Sequence, residues 1–401
     1  MKAVVMAAGE GTRMGPLTKT RPKPLLPVAG TTLLENVMDQ CVDAVDGFVL
    51  VVGHQSEMVE ERVGDTYRGL PVDYAVQDEQ LGTAHAVEQA EPYVDERFLL
   101  LNADVVVDDS LVAALAESEG YAVAVREVPD PSNYGVVSLD GDRVTGIVEK
   151  PAEPPSSLAN LGAYAFEPAV FDYVAATEKS ERGEYEITES IARALADGVA
   201  ITAVEYEGEW LDVGRPWELL NANEHLLADL DHHVEGVVED GATVHGPVVV
   251  ENGARVRAGA YVEGPAVIQS GADVGPNCYV RGSTVVGEDV RVGNAVEVKN
   301  SILMTDAAVG HLSYVGDSIL GESVNFGAST TVANLRHDDA NVRMQVKGDM
   351  IDTGRRKLGV VVGDASKTGI NTSLNAGVRL DPESTTTLGE TVTRDKVVDR
   401  E

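Results

Sequence analysis

Cysteine is almost missing from this chain: 401 residues carry only Cys41 and Cys278, too few and too far apart for a disulfide framework. That scarcity suits a reducing compartment, and a cytoplasmic location is expected. No run of about eighteen apolar residues exists, which excludes a membrane-spanning helix. The opening MKAVVMAAGEGTRM lacks the long apolar core of a secretory signal. Aromatic residues reach only 5%, and lysine occurs ten times against twenty-one arginines. Positive charge is scarce overall: 31 Lys and Arg face 66 Asp and Glu, a net charge of −35. The carboxylates are spread over the whole chain and aliphatic residues are abundant, so neither an acidic tail nor disorder explains that number. A salt-adapted surface does, because high ionic strength screens its self-repulsion, and a halophilic source is expected. Nucleic acid is disfavoured as a partner by the same charge.

Against this background, local basic clusters are informative. Residues 1–30 hold Lys2, Arg13, Lys19, Arg21 and Lys23 against Glu10 alone, a net +4 that predicts an anion site. Arg336, Arg343, Lys347, Arg355, Arg356, Lys357 and Lys367 form a second concentration. Two anion sites are therefore expected, one in each half.

What the chain has in plenty is a repeat. From Val238 to Met304 an apolar residue falls at every sixth position, through Val244, Val250, Val256, Val262, Ile268, Val274, Val280, Val286, Val292 and Val298. Small residues such as Ala242, Ala254, Ala260, Ala266, Ala272 and Cys278 stand two positions earlier. A six-residue period fits neither a helix nor a simple strand. It predicts a short-repeat solenoid, one strand and one tight corner per repeat, with stacked strands burying a continuous apolar strip. The period slips near residue 305, resumes at Val309, and is broken by an excursion from Asn334 to about Arg356. It returns at Val362, Thr368, Leu374, Leu380, Thr386 and Val392. Such breaks make loops on one face, often the binding face.

Before residue 234 the pattern alternates instead. Strands are expected at residues 2–6, Phe48–Val52, Val72–Gln77, Phe98–Ala103 and Ala122–Arg126, with helices such as Thr32–Val45 and Thr83–Tyr93 between them. That order predicts a mostly parallel, Rossmann-like α/β sheet whose ligands sit at the carboxyl ends of strands. The helical pattern Pro216–Leu230 reads as a linker. Two domains are expected, 1–228 and 229–401. The first strand runs into Gly-Glu-Gly-Thr-Arg-Met and then Arg-Pro-Lys-Pro. Gly9 and Gly11 let backbone approach a phosphate, while Arg13 and Lys23 can neutralise it, Lys23 being stiffened by flanking prolines.

These residues resemble the sugar-1-phosphate nucleotidylyltransferases, whose hallmark is GxGTRx…PKP. The likeness continues in order through Gln80-Leu81-Gly82-Thr83-Ala84, Asn102-Ala103-Asp104, Tyr134-Gly135, Glu149-Lys150-Pro151, Asn160-Leu161-Gly162 and Trp210-Leu211-Asp212-Val213-Gly214. In that family a sugar phosphate attacks the α-phosphorus of a nucleoside triphosphate, which calls for positioning and charge neutralisation. The resemblance implies that Ala8, Gly9 and Gln77 contact the base, and that Gly11, Thr12, Gly82 and Thr83 complete the nucleotide and sugar pocket. Arg13 and Lys23 would hold the phosphates, and Asp104 and Asp212 would share a Mg²⁺. Gly135, Glu149 and Asn160 would grip the sugar, with Lys150 reaching its phosphate.

The slip in the repeat contains Gly310-His311-Leu312-Ser313-Tyr314-Val315-Gly316-Asp317 and then Val324-Asn325-Phe326-Gly327-Ala328. This resembles the acetyltransferase half of the bifunctional GlcNAc-1-phosphate uridylyltransferases, a left-handed parallel β-helix of hexapeptide repeats that trimerises. The resemblance implies that His311 takes the proton of the glucosamine-1-phosphate amine attacking acetyl-CoA, a task suited to a neutral imidazole. Arg281 and Lys299 would bind the sugar phosphate, Tyr314 and Asn325 would position the sugar and the intermediate, and Ala328 would line the CoA channel. After Asn334 the chain departs from the bacterial pattern, reading Leu-Arg-His-Asp, with Ala340 where those enzymes carry a lysine. The pattern is closer to archaeal homologues. One chain with two activities is the leading expectation, using UTP and acetyl-CoA as co-substrates. Two alternatives stand beside it: glucose-1-phosphate with UTP or dTTP and a β-helix that only oligomerises or regulates, and a regulatory binding protein without turnover.

Overall fold

The structure, a computed structural model, describes residues 1–398. Chain contacts divide it into two compact units: residues 1–10, 22–25 and 33–212, and residues 11–21, 26–32 and 213–401.

The first unit is built on a ten-stranded sheet. At its centre Phe98–Asn102, Ala3–Met6, Phe48–Val52 and Leu70–Val76 run parallel and in register, with Ala3 opposite both Phe48 and Leu99. These strands are almost continuous runs of Val, Leu and Phe because both faces of a parallel sheet are covered. The helix Leu33–Cys41 covers part of one face with Leu33, Leu34, Val37, Met38 and Cys41, the stripe that helical spacing produces. The other half of the sheet is mixed: Ile201–Glu205 runs parallel to Tyr121–Glu127, but its remaining pairs are antiparallel. Leu158–Phe166 runs antiparallel to both Phe98–Asn102 and Tyr121–Glu127, and Gly135–Asp140 forms a hairpin with Arg143–Glu149. The short connection through Gly141 accounts for the hairpin, since a parallel pair needs a long crossover.

The second unit is a three-faced parallel β-helix. Its eight-, six- and eight-stranded sheets each take every third strand of the chain as far as Thr331–Val332. Val256 therefore pairs with Val274, Val262 with Val280, and Val250 with Ile268. Three six-residue steps make one coil, and all three columns meet in a single interior cluster. Each fully buried valine or leucine contributes about 1.5–3 kcal/mol, so an aspartate at Val292 would break the stack locally. The first coil is less covered, with Val237 and Val238 exposed.

The twelfth step of the period is a coincidence of spacing. Val286 pairs with Leu303, so Leu303 rather than Met304 occupies the interior column. The coil is shortened between Val298 and Ile302, and Val298 pairs with Val315. The excursion after Asn334 contains the antiparallel hairpin Arg343–Val346 with Asp349–Asp352, after which Val361 and Val362 rejoin Ile319 and Leu320. The helix Pro216–Ala228 is more than a linker, since it is part of this unit. Asn223 accepts from Ala29 N at 2.9 Å and donates to Ser283 O at 2.8 Å, and Asn300 donates to Glu224 at 2.6 Å.

Candidate active sites

In the first unit, three parallel strands deliver their carboxyl ends to one edge. Ala7 N bonds Val51 O at 2.8 Å, Gln77 N bonds Val52 O at 2.7 Å, and Ala103 N bonds Met6 O at 3.1 Å. A cavity of about 300 Å³ opens there, lined by Ala8, Gly9, Lys23, Gln77, Gly82, Thr83 and Asp104 among others. Seven expected site residues thus share one pocket. Lys23 is 7% exposed, and its ammonium pairs with the Asp104 carboxylate. Asp212 lies opposite Val105 in a short antiparallel pair, which brings it beside Asp104. Among the described residues no group of three or more carboxylates, histidines or cysteines gathers around a common point.

Gln80 connects the loops around this pocket. Its amide donates to Ala8 O at 2.6 Å and accepts from Glu10 N at 3.3 Å, clamping the glycine turn. Gln77 is buried, and its Nε2 lies 3.2 Å from Gly82 O and 2.9 Å from His85 Nδ1. Gly82 has φ +127°, and a Cβ there would collide with the Tyr185 backbone, so glycine is required. The Thr83 hydroxyl accepts from Ile187 N at 2.9 Å, a structural task.

The expected sugar residues also converge. Gly135 pairs with Glu149 across the hairpin, and a Cβ on Gly135 would stand 3.2 Å from Glu149 Oε2 and 3.3 Å from Asn160 Cβ. Asn160 donates to Tyr164 OH at 2.7 Å and accepts from Gly162 N at 3.2 Å. Lys150 Nζ lies 3.5 Å from Glu149 Oε1. Sequence reasoning missed two neighbours. Arg182 Nη1 lies 3.5 Å from Glu149 and 3.1 Å from Glu186. Burial, reinforced by the Glu149 charge, raises the Glu186 carboxyl above its usual range despite the opposing charge of Arg182. Neither residue stands in a motif; their only signal is proximity in the fold.

The N-terminal basic cluster does not form a shared anion pocket. Lys2 pairs with Asp73, Lys19 with Asp381, and Arg21 with Glu322 and Asp364. Arg13 differs: it is exposed, in the turn Thr12–Met14 after Gly11 at φ +61°, and no carboxylate pairs with it among the described residues. The second cluster is similarly divided. Arg336 pairs with Asp338, Arg355 with Glu224, and Arg356 with Asp339.

In the β-helix, Arg281 and Lys299 are direct partners on adjacent coils, and Tyr314 follows Glu297 in the next column of the same face. Adjacent strands lie about 4.8 Å apart, so these groups form one polar strip. His311 is exposed on the neighbouring face opposite Asn294, and its carbonyl accepts from Ser313 Oγ at 2.7 Å and Ser329 N at 3.1 Å. Asn325 is exposed on the same sheet as His311, one strand further, with Ala328 in the turn that follows. Arg281 is committed to Glu297 at 2.8 Å, which holds its guanidinium charged. Lys299 is committed to Asp317, a 2% exposed carboxylate that also receives Asn300 at 2.9 Å and Asn334. Asn334 donates to Tyr314 OH at 3.0 Å as well. Asp317, Asn300 and Asn334 are thus the missed members of this site. A further cavity of about 870 Å³ is lined by the excursion and the last coils, including Leu335, His337, Arg343 and Arg394.

The nucleotidyl transferase family matches residues 2–229, over half of the chain. The chain belongs to that family. A further family, described as the GMPPB C-terminal domain, matches residues 262–398. The bifunctional protein GlmU of Methanocaldococcus jannaschii is 42% identical over 382 residues, covering 95% of this chain and 92% of its own. The bifunctional sugar-1-phosphate nucleotidylyltransferase/acetyltransferase of Sulfurisphaera tokodaii is 36% identical over 401 residues, 98% of each chain. Within the nucleotidyl transferase family, the chain therefore groups with the bifunctional GlmU proteins. Among solved structures, a UDP-glucose pyrophosphorylase complexed with UDP-glucose matches 55% of this chain and 96% of its own, with TM-score 0.51 and 25% identity. No helix of this nucleotidyl transferase, among the described residues, is long and apolar enough to cross a membrane.

Proposed function

We propose that this chain makes UDP-GlcNAc by two reactions, with residues 1–228 carrying nucleotidylyl transfer and residues 229–401 acetyl transfer. In the second domain the glucosamine-1-phosphate amine attacks the acetyl-CoA thioester carbonyl. A C–N bond forms, the C–S bond breaks, His311 removes the amine proton, and CoA leaves as the thiol. Arg281 and Lys299 supply positive charge for the sugar phosphate, Tyr314 and Asn325 position the sugar, and Ala328 lines the acyl-carrier path. The Arg343 and Arg394 side of the excursion cavity suits an anionic carrier.

In the first domain a phosphate oxygen of GlcNAc-1-phosphate forms a bond to the α-phosphorus of UTP, and the bond to pyrophosphate breaks. Ala8, Gly9, Gly11, Thr12 and Gln77 face the nucleotide, with Gly82 and Thr83 shaping its pocket. Gly135, Glu149, Lys150 and Asn160 bind the sugar phosphate. Arg13 and Lys23 neutralise charge developing on the phosphates. Asp104 and Asp212, two hard carboxylates brought together by one strand pair, fit a Mg²⁺ completed by substrate oxygens, which would add positive charge at the phosphates. A homotrimer through the β-helix, a cytoplasmic location and a halophilic source belong to the same reading.

The observation that carries the reading is the strip of Arg281, Lys299 and Tyr314 on adjoining coils of one face, with His311 exposed on the neighbouring face, because a purely oligomerising β-helix has no use for it. Pyrophosphate release and CoA release, measured in high KCl over several sugar phosphates, test it. CoA release with glucosamine-1-phosphate is expected. Its absence, with glucose-1-phosphate turned over instead, would favour a glucose-1-phosphate uridylyl- or thymidylyltransferase.

A further inference from the structure

The segment Gly11–Arg21 belongs to the second compact unit, although it continues directly from the glycine turn at Gly9. β-Helix carboxylates hold its end. Lys19 Nζ lies 2.6 Å from Asp381, Thr20 Oγ1 donates to Asp364 at 2.7 Å, and Arg21 reaches both Glu322 and Asp364 at 2.5 Å. Asp364 is itself fixed, accepting from Glu322 N at 2.8 Å. Arg379 Nη1 donates to Gly15 O at 3.3 Å, and the Thr18 hydroxyl closes the segment onto Gly11 O at 2.9 Å. Arg21 is 5% exposed, a depth at which a charge persists only when paired and hydrogen-bonded. Burial alone would lower its pKa, but the bonds to Glu322 and Asp364 outweigh that and hold it above its usual value. Met14 and Leu17 are fully buried in the same segment. Arg13, between these anchors, stays exposed and without a carboxylate partner among the described residues.

We propose that Asp364 and Glu322 of the β-helix are positioning residues for nucleotidylyl transfer: they clamp Arg21 and so set the conformation of the segment that presents Arg13. The proposal rests on the reading of Arg13 as a phosphate-neutralising group. It gives the β-helix a part in the other domain's reaction that is separate from acetyl transfer and from assembly. It also accounts for a buried arginine two residues from the Lys23 motif that touches no substrate in that reading.

The test uses the full chain and measures pyrophosphate release from UTP with GlcNAc-1-phosphate beside CoA release. Asp364→Asn and Glu322→Gln are expected to lower kcat for pyrophosphate release about tenfold while the KM for UTP moves less than about threefold. CoA release should stay within about twofold of the parent, and Asp364→Glu should restore part of the loss. Arg21→Gln combined with Asp364→Asn should lose no more than the worse single variant, because the three act as one unit. Full kcat in both carboxylate variants would overturn the proposal, and so would equal losses in both activities with a lower melting midpoint. Arg13→Ala is the control: full pyrophosphate release in that variant would show that the reading of Arg13 fails, whatever the clamp does.

Discussion

The ammonium of Lys299 lies 2.9 Å from both carboxylate oxygens of Asp317, and Asp317 is 2% exposed. A lysine expected to meet a sugar phosphate is therefore held by a buried anion, which fixes its direction and offsets its charge. Removing one partner of such a pair leaves the other uncompensated at a cost of about 3–5 kcal/mol, whereas removing both is far milder. Asp317→Asn should accordingly lower the unfolding midpoint and slow CoA release. Lys299→Met combined with Asp317→Asn should recover most of the stability and none of the acetyl transfer. A double variant that regains activity would show that Lys299 has no part in substrate binding.

Lys23 and Asp104 form the corresponding pair in the first unit. Lys23 is buried in the wall of a 300 Å³ cavity, so its charge acts where water is scarce. Lys23→Ala should reduce kcat for pyrophosphate release by about 10²–10³, the range found when one preorganised stabilising group is removed. CoA release should be unchanged. Chelation of divalent cations should abolish pyrophosphate release and spare CoA release, and an equal loss of both would count against Asp104 and Asp212 as the metal pair.

His311 offers the reverse experiment. Its backbone is held by Ser313 and Ser329 while its ring is exposed, so His311→Ala should leave the coil intact. CoA release should fall by about 10²–10⁴, the usual contribution of a positioned base, with pyrophosphate release from UTP and GlcNAc-1-phosphate retained. Survival of both activities would remove His311 from the acetyl site.

The parts legible in the sequence are those that physics writes locally. A valine every sixth residue states the coil because three such steps return to the same interior column. Gly82 is legible only through the family resemblance, and the fold supplies the reason: its φ of +127° and its closeness to Tyr185 forbid a side chain. Charge partners were not legible. The net +4 of residues 1–30 reads as an anion site when counted along the chain, yet Lys19 and Arg21 meet carboxylates more than 300 residues away. Asp317 reads as one more acid in a chain of −35, and only its burial distinguishes it. Met304 fits the period by number and misses the interior column because the preceding coil is one residue short.

Glu186 makes a pH prediction whose sign is fixed by burial. Its pKa is raised in the folded protein, chiefly by burial and then by the Glu149 charge. A carboxyl raised above its unfolded value contributes stability below the unfolded pKa, and that contribution is lost as pH rises through the folded value. At neutral pH the ionised group is therefore a burden, only partly offset by Arg182 at 3.1 Å. Glu186→Gln should raise the melting midpoint at pH 7 relative to the parent, with the difference shrinking as pH falls through the raised folded value and gone below about 4.5, the ordinary carboxyl value. A lower midpoint at pH 7 would mean that the Arg182 pair outweighs burial.

Salt should act on the whole molecule. A net charge of −35 repels itself over distances that the Debye length sets, about 10 Å at 0.1 M and about 3 Å at 1 M. Raising KCl also weakens exposed ion pairs such as Arg336–Asp338 and Arg68–Asp39, which pulls the other way. Exposed pairs contribute about 0–1 kcal/mol each, and each involves only two charges, whereas the repulsion involves every uncompensated carboxylate. The first effect should win. The melting midpoint and both activities should therefore rise together from dilute buffer to molar KCl, and an uncharged osmolyte at equal osmolality should not reproduce the rise in full. A midpoint that is flat or falls with KCl would show that the acidic surface is already compensated, and with it the expectation of a halophilic source would go.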